Sequence, residues 1–251
     1  MLNPVNALLN IQLLQEVLKD TPSQNFNATL PLLLKVLEKK GDHKYLLQLG
    51  SQLIETKSQK ALVLGKTYWA LMHKSSVGAT MLSNLIPQPK IMEQLKDVPL
   101  KFELKDLPKL LSSDQFQDYK EVLIQHCAHA PTRQDFLLFG NLLLSLHHQV
   151  ASFVIQDGQQ KEALLQLKPK KKQEKLEFYA IYPHLGPLQG VVYKEGEGVC
   201  LLLSVSYVSV LQLLERHKAE LKGFEKITLT LAQAPLEPLF NFEESLLDTR
   251  G

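Results

Sequence analysis

Residues 176–231 of this chain constrain its fold more than any other stretch, because they change periodicity in a fixed order that few architectures accommodate. They read LEFYAIYPHLGPLQGVVYKEGEGVCLLLSVSYVSVLQLLERHKAELKGFEKITLTL. Strand-forming residues alternate with period two over 176–182, 188–193 and 199–204, with Gly-containing breaks between them, which predicts three short strands. Leu211, Leu214, Lys218 and Leu221 then fall at helical spacing, and Gly223 stands where a helix stop is favoured. Ile227, Leu229 and Leu231 alternate with threonines as a closing strand. The resulting β-β-β-α-β order selects an α+β domain.

Between the first two strands lies a stiff corner, Pro183-His184-Leu185-Gly186-Pro187. Both prolines fix φ and lack a donor, while Gly186 can take a positive φ, so the chain either exposes Leu185 or tucks it under the sheet. A corner of this kind sets strand register or, alternatively, presents His184 and Leu185 to a partner.

Tyr182-Pro183-His184-Leu185-Gly186-Pro187-Leu188, the Gly turn at Gly196 to Gly198 and the Leu-rich segment 211–221 occur in an order that resembles a known family. It is that of the flagellar hook-length control proteins, whose C-terminal domain switches the substrate specificity of type III export. Residues 151–172 extend the resemblance as a preceding hairpin, and Tyr182 stands where the family usually has Leu. The resemblance implies contact with the cytoplasmic domain of the flagellar export gate membrane protein, with hook or hook-cap proteins as further partners. The residues expected to bind a partner are His184, Leu185, Gly186, Pro187 and Leu188 at the corner and Lys170, Lys171 and Lys172 in the basic run before it. No metal, cofactor or small-molecule substrate is implied. The family's long polar N-terminal ruler has no counterpart, since residues 1–150 are apolar-patterned and lack a Ser/Gln/Pro-rich tract. A shortened relative would either switch without measuring length or keep the fold and lose the role.

Five regions are expected. Residues 1–25 form an amphipathic N-terminal helix ended by Thr21-Pro22. Residues 26–88 form a small antiparallel β-barrel-like module, with strands at 30–40, 45–49, 51–56, 61–64, 67–72 and 79–86. Within it, Gly65-Lys66-Thr67 is a hairpin turn rather than a phosphate loop, because Lys60 occupies the position where the loop needs its first glycine. Tyr68 and Trp69 point to opposite faces, one into the core and the other towards a possible binding surface. Residues 89–149 form a Pro-rich linker and helical bridge, with a short helix at 91–96, a helix capped by Ser113-Asp114 and running to about Ala128, and a second capped by Thr132 and running to about His148. Residues 150–235 are the hook-length-control-like domain, and 236–251 an acidic tail that folds back or serves as a docking segment.

His126, Cys127, His129, His147 and His148 form a zinc set only if the two helices meet antiparallel in one register, and termini rich in histidine have a simpler origin in the helix dipole. The run Lys168-Pro169-Lys170-Lys171-Lys172 separates two strand patterns and is expected to be a solvated turn. It is also able to steer an acidic partner surface. Since the net charge is only +2, any basic footprint has to be local. Two cysteines fit a reducing compartment, and the polar interruptions in 1–20 do not make a secretory signal. With no apolar run of membrane-spanning length, the chain is expected to be cytoplasmic as made, with export through the flagellar apparatus left open. No nucleophile elbow, metal-ligand helix or dinucleotide loop occurs, so the protein is not expected to be an enzyme. The main rival is a nucleic-acid-binding protein using the small barrel and the Lys168–Lys172 turn. A pocket assembled only by folding comes third.

Overall fold

The computed structural model describes residues 30–58, 60–74, 80–89, 92, 100–107, 116–156 and 162–242. The expected N-terminal helix, the helix at 91–96 apart from Met92, residues 113–114 and the end of the tail lie outside them. The expected Ser113-Asp114 cap is corrected, because the helix starts only at Gln117, with Phe116 as its N-cap and no side-chain cap.

Two sheets organise an α+β fold. The first is a closed five-stranded barrel of β1 (Leu32–Gly41), β2 (Lys44–Leu49), β3 (Gln52–Lys57), β4 (Thr67–Lys74) and β5 (Thr80–Pro87), in the order β1-β2-β3-β5-β4. Strand alternation turns Leu34, Val36, Tyr45, Leu47, Tyr68, Ala70 and Leu82 into its own small core, with Leu62 beside them. Two expectations are corrected. The barrel is not wholly antiparallel, because β3 meets β5 in parallel at Lys57 and Met81. Residues 61–64 are not a strand: they cross the barrel end, where only Leu62 points inward while Val63 and Leu64 are 53% and 56% exposed. Their backbone is held by side chains instead of a ladder, Leu62 N donating to the Tyr45 hydroxyl and Val63 N to the Tyr68 hydroxyl, both at 3.2 Å. Gly65 takes φ 78° and Lys66 brings the chain back against β1, where Gly65 N donates to Val36 O at 2.8 Å. This is a turn but not a β-hairpin, since β3 and β4 are not neighbours.

The second sheet has six strands: β6 (Ala151–Gln156), β7 (Glu162–Lys170), β8 (Lys175–Tyr182), β9 (Gly186–Glu195), β10 (Gly198–Val205) and β11 (Lys226–Leu231). Its order is β11-β10-β9-β8-β7-β6. Neighbours run antiparallel except β10 and β11, which are parallel and joined by α3 (Val208–Arg216), numbered after the two helices below. The expected β-β-β-α-β order is present, but the helix is shorter than 211–221. It ends at Arg216, and a 3₁₀ turn over Lys218–Glu220, with His217 Nδ1 2.8 Å from Glu220 Oε1, carries the chain to buried Leu221.

Register defines two faces. On the inner face Phe153, Leu165, Ala180, Leu188 and Val205 lie across five strands in one row. In the next row the Phe178 ring lies over Gly190, where a Cβ would come within 2.5 Å of Phe178 Cζ. On the outer face the corresponding row is Ser152, Gln166, Tyr179, Gln189, Ser204 and Thr230.

The bridge helices α1 (Gln117–Ala128) and α2 (Arg133–His147) clasp the β6 edge. Tyr119 meets Phe153 on the inner face, ring centroids 4.5 Å apart, and Ser145 Oγ lies 2.8 Å from Ser152 Oγ on the outer one. The expected Thr132 cap is present: its Oγ1 accepts from Asp135 N at 3.1 Å. Phe102 closes the rest of that edge, donating to Val154 O and accepting from Gln156 N. The tail folds back as far as Phe242. Phe240 exchanges two hydrogen bonds with the Gln166 side chain, at 2.9 and 3.3 Å, and its ring lies 5.6 Å from His148.

Candidate functional site

The two groups of residues expected to bind a partner lie at opposite ends of β8. The lysines stand at its start and the corner at its finish, roughly 23 Å apart at ~3.3 Å per strand residue. They do not form one surface.

At the corner, Leu185 N donates to Tyr182 O, and Gly186 takes φ 72°, so the positive φ allowed by glycine is used. Leu185 is tucked in, 1% exposed, and Gly186, Pro187 and Leu188 are buried with it. His184 alone of the five is exposed. The cover comes from the barrel. Trp69 sits on its outer side but is fully buried, and its Nε1 donates to Pro183 O at 3.0 Å. Tyr207, at the start of α3, donates its hydroxyl to Asn84 O of β5 at 3.0 Å. Asn84 takes φ 50° in an irregular part of the β4–β5 ladder, where register shifts between Trp69 and Leu71. Burial pushes the Tyr207 phenol above its ordinary value, so it remains a donor. The expectation that one of Tyr68 and Trp69 faces a binding surface is therefore corrected. Tyr68 lies in the barrel core, and Trp69 is buried in the core shared with the six-stranded sheet, against Pro183.

The other end of β8 is solvated. Lys171, Lys172 and Gln173 form a 3₁₀ turn, Glu174 takes φ 49°, and all four are exposed. The run is the hairpin connection that was expected. Register then adds what the linear sequence does not show. Lys170 stands opposite Lys175, and the same outer-face row continues through Tyr193 and Cys200 to Lys226. The row beside it is Lys168, Glu177, Val191, Leu202 and Thr228. Leu202 is 39% exposed, while Val191 and Tyr193 are half-buried. Lys170 Nζ lies 3.7 Å from Glu177 Oε2, a half-exposed pair of modest strength. Cys200 is buried, its thiol held up first by that burial and then by a hydrogen bond to Glu195.

Tyr193, Val191, Leu202 and Lys226 were not expected at this site. For Val191, Tyr193 and Leu202 the signal was present in the hairpin lengths, since counting back from the turns at 171–174, 183–185 and 196–197 fixes which residues share a face, whereas Lys226 is reached through a parallel crossover that no turn length fixes.

The histidines and Cys127 do not converge. His126 stacks on Phe139 at 5.1 Å, His129 Nδ1 lies 2.9 Å from Gln125 O on its own helix, and Cys127 Sγ is 4.0 Å from Phe136 O. His147 and His148 are at the far end of the 15-residue α2, about 20 Å along its axis. Among the described residues no group of three or more His, Cys, Asp or Glu side chains is arranged to hold a metal, and no helix is long and apolar enough to cross a membrane. No protein-family model matches the chain, and no curated protein or solved structure is significantly similar to it.

Proposed function

We propose that this chain is a hook-length-control-like component of flagellar type III export, whose C-terminal domain contacts the cytoplasmic domain of the export gate and changes which substrates pass. The observation that carries the reading is that the three parts of the sequence resemblance belong to one structural unit. The Pro183–Pro187 corner opens β9, the Gly196–Gly198 turn joins β9 to β10, and α3 crosses from β10 to β11. The domain also leaves half of its outer face uncovered beside a basic turn, which suits a protein contact better than a reaction. To act as a switch it has to prefer one gate conformation over another, because binding both equally shifts nothing.

The test is titration calorimetry of the full chain against the isolated cytoplasmic domain of the same organism's export gate. Saturable binding weakened by charge reversal at Lys170 and Lys175 supports the reading. Absence of binding by the intact chain refutes it.

A second reading, nucleic-acid binding, draws on one observation: the barrel order β1-β2-β3-β5-β4 is that of oligonucleotide-binding barrels, which use the β2–β3 face. That face carries Lys44, Leu46, Gln48, Leu53 and Glu55, without an aromatic platform, while Tyr45 is buried inside. Salt-sensitive retention on single-stranded nucleic acid, lost when barrel lysines are neutralised, is the result that would favour it.

A further inference from the structure

The outer face of the six-stranded sheet is covered on one half and open on the other. Over β6 to β8, Ser152, Val154, Leu164, Gln166, Tyr179 and Ile181 are all buried, beneath the end of α2 and the returning tail. Over β9 to β11 the same face shows Val191, Tyr193, Leu202 and Thr228 to solvent in varying degree. This patch adjoins lysines on two sides: Lys168, Lys170 and Lys175 from the β7–β8 hairpin, with Lys171 and Lys172 at its tip, and Lys226 on β11.

The charge arrangement bears on the occupant. Lys170 and Lys175 are directly opposite one another, and like charges in that position oppose strand pairing. Glu177 lies near enough to relieve Lys170, and the Glu195 carboxylate reaches Cys200 in the row through Lys175, Tyr193 and Lys226, but among the described residues neither Lys175 nor Lys226 is held in an ion pair. A ligand that brings carboxylates to this row removes a repulsion that folding alone leaves in place. One that also brings a small apolar side chain covers Leu202 and Val191, which water otherwise contacts.

We propose that the open half of the outer face is a docking surface for an acidic segment of a partner protein carrying leucine-type anchors. Its carboxylates pair with Lys170, Lys175 and Lys226, and its anchor sits on Val191 and Leu202 beside the Tyr193 ring. This deepens the reading above by naming the chemistry of the bound segment, and it rests on that reading only for the identity of the partner. Both the lysines and the apolar residues are required. Lysines alone would accept any polyanion, and the apolar strip alone would not distinguish an acidic segment from a neutral one.

The experiment uses the full chain and a fluorescein-labelled synthetic peptide alternating Glu and Leu, read by anisotropy. A Glu/Ser peptide and a single-stranded oligonucleotide serve as comparators. The expected result is saturable, salt-sensitive binding of the Glu/Leu peptide, weakened roughly tenfold or more by Lys170→Glu with Lys175→Glu, since reversed charges repel the segment they had attracted. Leu202→Asp is expected to weaken it comparably, and because that side chain is part-exposed the variant should fold, as circular dichroism will check. Equal binding of the Glu/Ser peptide, or indifference to Leu202→Asp, overturns the proposal in favour of a general polyanion site. Oligonucleotide binding with the same dependence on both variants overturns it in favour of nucleic acid. Binding that emerges only after removal of 243–251, which contain Glu243, Glu244, Leu246, Leu247 and Asp248, makes the chain's own tail the occupant and overturns the partner assignment. Export-gate binding that the Glu/Leu peptide does not displace overturns this inference while leaving the proposed function intact. Peptide binding without gate binding does the reverse.

Discussion

The corner end of β8 and its lysine end begin from equally suggestive sequence and finish as different kinds of surface. At the corner, the prolines, Gly186 and Leu185 are closed over by the barrel through Trp69 and Asn84. At the lysine end, a turn of charged residues stays in water and borders an uncovered half-face. A rigid corner has few conformations to lose and presents carbonyls that need donors, so it makes a good internal docking point. The lysines lose solvation and side-chain entropy if buried, so they remain outside. A distinctive motif can thus be consumed in holding the molecule together, while an ordinary charged turn becomes the exposed feature.

Substitutions at the two ends should separate them sharply. The largest effect is expected from Trp69→Ala, which empties a fully buried site and leaves Pro183 O without its donor. It should cost about 3–5 kcal/mol in urea unfolding, within the range for deleting a large aromatic from a core. A midpoint equal to wild type would show that the barrel does not close the corner.

Gly186→Ala comes next. The positive φ and a new Cβ 3.0 Å from Tyr207 Cε2 together predict a loss of about 1–2 kcal/mol or somewhat more, measured the same way. Unchanged stability would mean that the corner relaxes without strain.

Tyr207→Phe should cost about 1 kcal/mol, because it removes one hydrogen bond to Asn84 O and keeps the ring. Its pH dependence sharpens the test. Burial raises the phenols of Tyr119, Tyr179 and Tyr207 above their ordinary value. Below the ordinary tyrosine range of about 10 both folded and unfolded forms keep the proton, and above it the unfolded chain ionises first, so stability falls as pH rises. Because the variant lacks one of the three phenols, the gap between it and wild type should shrink in alkali. A gap that widened would contradict the burial of Tyr207.

The smallest effect belongs to the lysine end. Lys170→Ala with Lys172→Ala should change stability by no more than about 0.5 kcal/mol, since half-exposed pairs such as Lys170 with Glu177 contribute little. A loss comparable to that at the corner would erase the distinction between the two ends.

The sequence made the strands and turns of the C-terminal sheet readable because each has a local cause: alternation in Leu176 to Tyr182, φ at Gly186, and the Thr132 hydroxyl at the start of α2. The same period reading failed at 61–64, where an apolar run crosses the barrel end and only Leu62 is inward. Helical spacing likewise carried the expected α3 past Arg216, although buried Leu221 is reached through a tighter turn. The site was partly visible. The lysines could be named, but Tyr193, Leu202 and Lys226 join them only through register across four strand pairs. The burial of Trp69 against Pro183 joins residues 114 positions apart, and no local pattern encodes such a contact.

Trp69 is the only tryptophan in the chain, so acrylamide quenching of its emission reports directly on the closed corner. Blue-shifted emission that resists quenching, and stays resistant when an acidic peptide occupies the opposite end, is expected if the barrel holds the corner and the outer face is separate. Solvent-like emission quenched as readily as that of a free indole would contradict the closure of the corner by the barrel.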